Sequence, residues 1–130
     1  MYNAVIDTNV LVSGLLSVSG NPAKIINAFK ERQFNLVYSS EIFAEYSDVL
    51  NREKFGLNAK DVEILLDDIN RVGLAVDPSS SDITFKDEDD RIFYDTALAS
   101  EAVLVTGNIK HYPAEPFILT PAEFLKILNS

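Results

Sequence analysis

The chain contains no cysteine. That excludes a disulfide framework, a thiolate metal site and a cysteine nucleophile, and it fits a reducing compartment. Cations are scarce: 11 Lys and Arg stand against 20 Asp and Glu, a formal charge of -9. That sign is wrong for holding nucleic acid through general electrostatics. An acidic chain can still act on a phosphodiester where bound cations offset its carboxylates, and it can offer an acidic face to a basic partner protein. No apolar run approaches the roughly 20 residues that cross a bilayer, so no membrane association is expected. A basic segment leading into an apolar stretch is missing from the N-terminus, so no signal peptide is expected. The expected setting is the cytoplasm.

What is present reads as one globular domain over residues 1–130, with 47% hydrophobic residues, enough for a real core and too many for a disordered chain. The opening Ala4-Val5-Ile6 is apolar, Asp7 follows, and Val10-Leu11-Val12 is apolar again. An uninterrupted apolar run suits a strand buried on both faces of a parallel sheet. Asp7 then has two readings. It caps the turn that follows, with Thr8 and Asn9 beside it, or it stands at the carboxyl end of a central strand, where open α/β sheets bind ligands.

Val12 to Ser19 carries small residues, and Asn21-Pro22 reads as an N-cap with proline in the first turn of a helix ending near Gln33. Leu36-Val37-Tyr38 is a second strand. Ser39 or Ser40 caps a helix from Glu41 to about Lys54, closed by Gly56, with Ile42, Tyr46, Val49 and Leu50 as its apolar stripe. A further helix opens at Asn58 or Lys60-Asp61, carries Val62, Leu65, Leu66 and Ile69, and stops before Gly73. Leu74-Ala75-Val76 is a third strand and Ile83-Thr84-Phe85 a short extended piece. Asp87-Glu88-Asp89-Asp90 precedes a helix bearing Ile92, Phe93, Ala97 and Leu98. Val103-Leu104-Val105 and Phe117-Ile118-Leu119 are strands, and Thr120-Pro121 caps a last helix. Strands alternating with helices imply a parallel sheet covered on both faces.

Glu45 falls three residues after Ile42 and four before Val49, so helical spacing puts it on the apolar stripe. Asp90 heads the stripe of Phe93 and Ala97, although acidic residues at a helix start are commonly caps. Thr106-Gly107-Asn108 ends one apolar strand as Asp7-Thr8-Asn9 ends another. Arg91 and Asp95, four apart, are placed to pair. Carboxylates aimed at one place repel unless protonated or bridged by cations, and an all-oxygen set suits Mg²⁺ or Mn²⁺.

Val-Ile-Asp-Thr-Asn-Val-Leu-Val-Ser at 5–13 resembles the opening motif of PIN-domain nucleases. Glu45, in Glu-Ile-Phe-Ala-Glu-Tyr-Ser-Asp-Val-Leu, is similar to their second acidic position. Asp-Glu-Asp-Asp-Arg-Ile-Phe-Tyr-Asp-Thr-Ala-Leu-Ala at 87–99 is similar to the third motif, with Asp90 as its metal-site aspartate, and Leu-Val-Thr-Gly-Asn at 104–108 to the fourth. The resemblance extends to PIN-family toxin components of toxin–antitoxin pairs, the VapC-type ribonuclease toxins. It implies an α/β/α sandwich around a parallel sheet of about five strands, and Mg²⁺- or Mn²⁺-dependent cleavage of RNA leaving 5′-phosphate and 3′-hydroxyl ends. It implies Asp7, Glu45 and Asp90 as catalytic metal ligands with Asn108 as a further ligand. Thr8, Asn9, Ser13 and Thr106 would orient carboxylates or water around them. It also implies an antitoxin protein as partner and a homodimer.

Many relatives carry aspartate where this chain has Asn108, so the resemblance implies one well-held ion and a second held poorly. Asp89 or Asp95 is available to supply the missing charge, beside the more ordinary capping and ion-pairing roles. Lys110 and His111 are placed to touch a phosphate backbone; His111, the lone histidine, is read as solvated, not as a general base. Two other readings stay open. One is a catalytically weakened PIN-like module that binds RNA or protein. The other is a phosphotransfer domain with Asp7 as nucleophile, which usually has a second aspartate where this chain has Asn9.

Overall fold

Five parallel strands form one sheet in the computed structural model, which describes residues 1–130: Asn3–Ile6 (β1), Asn35–Tyr38 (β2), Leu74–Ala75 (β3), Val103–Val105 (β4) and Ile118–Leu119 (β5). Their order is β3-β2-β1-β4-β5. Six helices accompany them: Thr8–Leu16 (α1), Asn21–Lys30 (α2), Ser40–Leu50 (α3), Ala59–Val72 (α4), Arg91–Ser100 (α5) and Pro121–Leu128 (α6). The chain builds outward from β1 to β3, then returns to place β4 on the other side of β1. Crossovers leave β1 in opposite directions, and with the right-handed sense that such connections take they put helices on both faces, a three-layer α/β/α fold. The reversal falls between β1 and β4, and their carboxyl ends border the crevice where such sheets bind ligands.

The middle layer is apolar apart from Asn3 and Asn35, which open β1 and β2 and bond to each other through their side chains at 2.9 Å. Ala4, Val5 and Ile6 of β1 are fully buried, as are Leu104 and Val105 of β4. α2 packs on α6, and Phe34 meets Phe124 edge to face at 5.1 Å. Side chains of this size stabilise by about 1.5–3 kcal/mol each when fully buried. α5 lies across β1 and β2. No helix is long and apolar enough to cross a membrane.

Several elements depart from the sequence reading. The apolar run after Asp7 is helix α1, not more strand. Thr8, Val10, Leu11, Val12 and Gly14 are its buried residues, so packing overrides the strand preference of its valines. Gly14 belongs there because a Cβ would stand 2.5 Å from Ile26 Cδ1 and 2.9 Å from the Pro22 carbonyl oxygen. α2 starts at Asn21, after Gly20 as N-cap, and stops at Lys30, because the chain turns left-handed at Arg32 (φ 61°). α3 ends at Leu50; Glu53–Phe55 is a separate 3-10 turn closed by Gly56 at φ 59°. Ile83–Phe85 pairs with no strand; Phe85 instead packs edge to face on Tyr94 at 5.5 Å and on Tyr112 at 6.3 Å. Leu98, expected on the inner face of α5, is half exposed. The expected caps at Ser39, Asn58 and Thr120 are present, each accepting a backbone N–H.

Candidate functional site

Asp7 satisfies both of its readings. It is the N-cap of α1, accepting the Asn9 N–H at 3.4 Å. It also stands at the carboxyl end of β1, where its own N–H bonds to the Val105 carbonyl of β4 at 2.9 Å. A cap contact that long leaves the carboxylate to be oriented by other groups. The Thr106 hydroxyl donates to Oδ2 at 2.8 Å and the Tyr112 hydroxyl to the same oxygen at 3.1 Å. Asp7 is buried, so those two donors offset much of its lost hydration.

Glu45 projects from α3 on the side of Ile42 and Tyr46, as its spacing requires, and is half-buried. The Thr8 hydroxyl donates to its Oε2 at 2.5 Å. One turn of α1 thus ties the β1 carboxylate to the α3 carboxylate. Burial, then the nearby negative charge of Asp7 and Asp89, raises the Glu45 pKa against the lowering effect of the Thr8 bond. Tyr46, one residue on, donates to the Ile6 carbonyl at 2.5 Å and pins α3 to the end of β1.

Asp90 is the residue at which capping and function come apart. It occupies the N-cap position of α5, yet its side chain makes no capping hydrogen bond. Asp87 does the capping work just upstream, accepting the Asp89 N–H at 3.0 Å. The Asp90 carboxylate, 17% exposed, is left facing other charges. Its pKa is pushed up to about 6 by burial, then by Asp7 and Asp87, with His111 opposing.

Asp7, Glu45 and Asp90 line one pocket of about 260 Å³ together with Thr8, Asn9 and Asp89, and Arg52 and Lys54 stand at its edge. The structure brings together the three carboxylates and two of the four residues expected to orient them. Thr106 joins through its bond to Asp7. Ser13 does not: it is exposed on α1 and outside the pocket lining. Asn108 is outside that lining too; its N–H bonds to the Thr106 hydroxyl at 3.0 Å, which helps aim Thr106 at Asp7. Asp95 is buried away from the pocket, accepting the Ser81 N–H at 3.2 Å. The expected Arg91–Asp95 pair does not form; Arg91 pairs with Glu88 at 2.6 Å and donates to the Ser81 and Ile83 carbonyls. Tyr112 is the contributor that sequence reasoning missed. Its one signal was an amphipathic ring close after Thr106-Gly107-Asn108, the kind that seeks a partner for its hydroxyl when buried.

A parallel α/β/α sheet with a carboxylate-lined pocket at the carboxyl rim of its topological switch point defines the class of domain. The chain matches the PIN domain family over residues 3–110 and belongs to it, a family whose members are generally nucleases. It is also 32% identical over 108 residues to an uncharacterized protein of Methanocaldococcus jannaschii, covering 80% of this chain and 69% of that one.

Proposed function

We propose that the chain is a metal-dependent endoribonuclease, using Mg²⁺ or Mn²⁺, and the toxin of a toxin–antitoxin pair. One observation carries the catalytic part: Asp7, Glu45 and Asp90 line a single pocket although no cation of the chain pairs with any of them except His111, 3.7 Å from Asp90. Such a set repels itself and is relieved by a counter-ion. The donors are carboxylate oxygens with no sulfur among them, which suits a hard divalent ion. Asp7, Glu45 and Asp90 would hold it, in part through water, and when bound it supplies Lewis-acid stabilisation of phosphoryl charge and acidifies water.

The chain's own groups prepare that chemistry. Thr106 and Tyr112 fix Asp7, and Thr8 fixes Glu45, so neither carboxylate needs to reorganise when substrate arrives. Arg52 and Lys54 at the rim offer positive charge to the phosphodiester. Water adds to phosphorus, the bond to the 3′-oxygen breaks, and the products carry 5′-phosphate and 3′-hydroxyl ends. The toxin role rests on the motif resemblance. An antitoxin would cover the acidic pocket, with a basic side chain such as arginine inserted into it. The setting is cytoplasmic and the active form a homodimer.

A second reading, a catalytically weakened module that binds RNA or protein, has two observations in its favour. Asn108 adds no charge to the pocket, and no three Asp, Glu or His side chains stand close enough to encircle one ion directly. The two readings separate in one experiment: cleavage of mixed labelled RNAs with Mg²⁺ or Mn²⁺ by wild type, Asp7→Asn and Asp90→Asn, with calorimetric Mn²⁺ titration of each. The nuclease reading expects each substitution to lower the rate by roughly a hundredfold or more, a loss of several kcal/mol of transition-state stabilisation, and to weaken Mn²⁺ binding. RNA bound but never cut, with no Mn²⁺ uptake by wild type, selects the module.

A further inference from the structure

All four arginines are paired with carboxylates: Arg32 and Arg71 with Asp68, Arg52 with Asp48, and Arg91 with Glu88. None of the seven lysines is in an ion pair, although acids outnumber cations 20 to 11. Two of those unpaired lysines meet beside the carboxylate pocket. Lys86 leads into the 3-10 turn Glu88–Asp90, and Lys110 lies in the turn Ile109–His111 after β4. With His111 they line a pocket of about 230 Å³ that has no hydrophobic residue in its wall. Its other two lining residues, Asp87 and Asp90, also line the carboxylate pocket, so the two pockets share a wall. On one side of Asp90 the charge is carboxylate; on the other it is ammonium and imidazole.

We infer that the Lys86–Lys110–His111 pocket seats the RNA backbone phosphate next to the scissile one. The inference rests on the ribonuclease reading and adds the direction in which the strand leaves the cleavage site. A polynucleotide repeats its phosphates at short intervals, so the strand held at the carboxylate pocket needs cations immediately beyond it. Unpaired ammonium groups on flexible stems supply a point charge that tolerates any base sequence. Asp87 and Asp90 work against an anion in this pocket, and a divalent ion held at the neighbouring site would offset Asp90. An acidic peptide fits less well, because its next carboxylate would fall on Asp7 and Glu45 with no bond to break.

The test is RNA cleavage kinetics across a salt series. The variants are Lys86→Gln/Lys110→Gln, Lys86→Arg/Lys110→Arg, and Lys24→Gln/Lys126→Gln in the groove between α2 and α6. Losing the contact to one phosphate of a single strand reduces the slope of log affinity against log salt by about 0.7, which at ~0.15 M salt is about a fourfold rise in KM. The double glutamine variant should show that rise with kcat unchanged. The double arginine variant should keep the wild-type KM, and so should the α2–α6 pair. Unchanged KM and slope in the first variant, or an equal change in the α2–α6 variant, overturns the subsite and leaves the ribonuclease reading standing. Wild type that cuts no RNA overturns that reading and the subsite with it.

Discussion

Asp90 holds its proton up to about pH 6, against an ordinary value of 3.8, because burial and then Asp7 and Asp87 disfavour its charge. Between those values the folded chain keeps a proton that the unfolded chain has released. Ion-free stability therefore falls as pH rises from about 4 to about 6 and stays low above that range. Screened by solvent, the penalty at neutral pH is about 1 kcal/mol. In chelator at pH 7, Asp90→Asn should melt about 4 °C above wild type, and the gap should close at pH 4. A gap of the same size at both pH values would trace the effect to something other than charge. The nearness of Asp90 to Asp7 and Glu45 was legible in the chain because a carboxylate on an apolar stripe has few other places to go. Tyr112 was not, since its use depends on a hydroxyl reaching across 105 positions to Asp7. Ser13 shares a motif with Asp7 yet stays outside the pocket: six residues along a helix, the side chain has turned well away from the N-terminus.

Among the elements, α1 has the most to do for its length. Its first residue holds Glu45, its cap is Asp7, and its flank is the seat of α2. Gly14 sets that last contact. A methyl group there meets the Pro22 carbonyl, which is backbone and cannot rotate away. Gly14→Ala should lower stability by about 1–3 kcal/mol through overpacking, outweighing the roughly 1 kcal/mol that alanine gains in a helix. Urea unfolding should show a lower midpoint with the slope preserved; a higher midpoint would mean that α2 yields freely. α1 was also the element the sequence concealed. Val10, Leu11 and Val12 favour a strand locally, and only the Asp7 cap together with the tertiary seat against α2 makes them helical. The caps at Ser39, Asn58 and Thr120 were legible because each satisfies its own helix within three residues. The packing of Ile83–Phe85 was not, because Phe85 is placed by Tyr94 and Tyr112 and not by any local period.

At the scale of the whole molecule, the chain carries -9 and leaves Leu16, Val18 and Ile64 exposed. Sedimentation at tens of micromolar should find a symmetric dimer, the commonest oligomer; a monomer throughout that range would remove the homodimer from the proposal. The bonds from Thr106 and Tyr112 to Asp7 span 99 and 105 residues. Asp7, which follows β1, leaves a ribosome well before the two residues that donate to it. At about 5–20 residues per second, several seconds separate the synthesis of Asp7 from that of the groups that aim it. Throughout that interval the nascent chain has Asp7 and no assembled pocket. A product cut short before Thr106 therefore carries Asp7 without either of the hydroxyls that aim it.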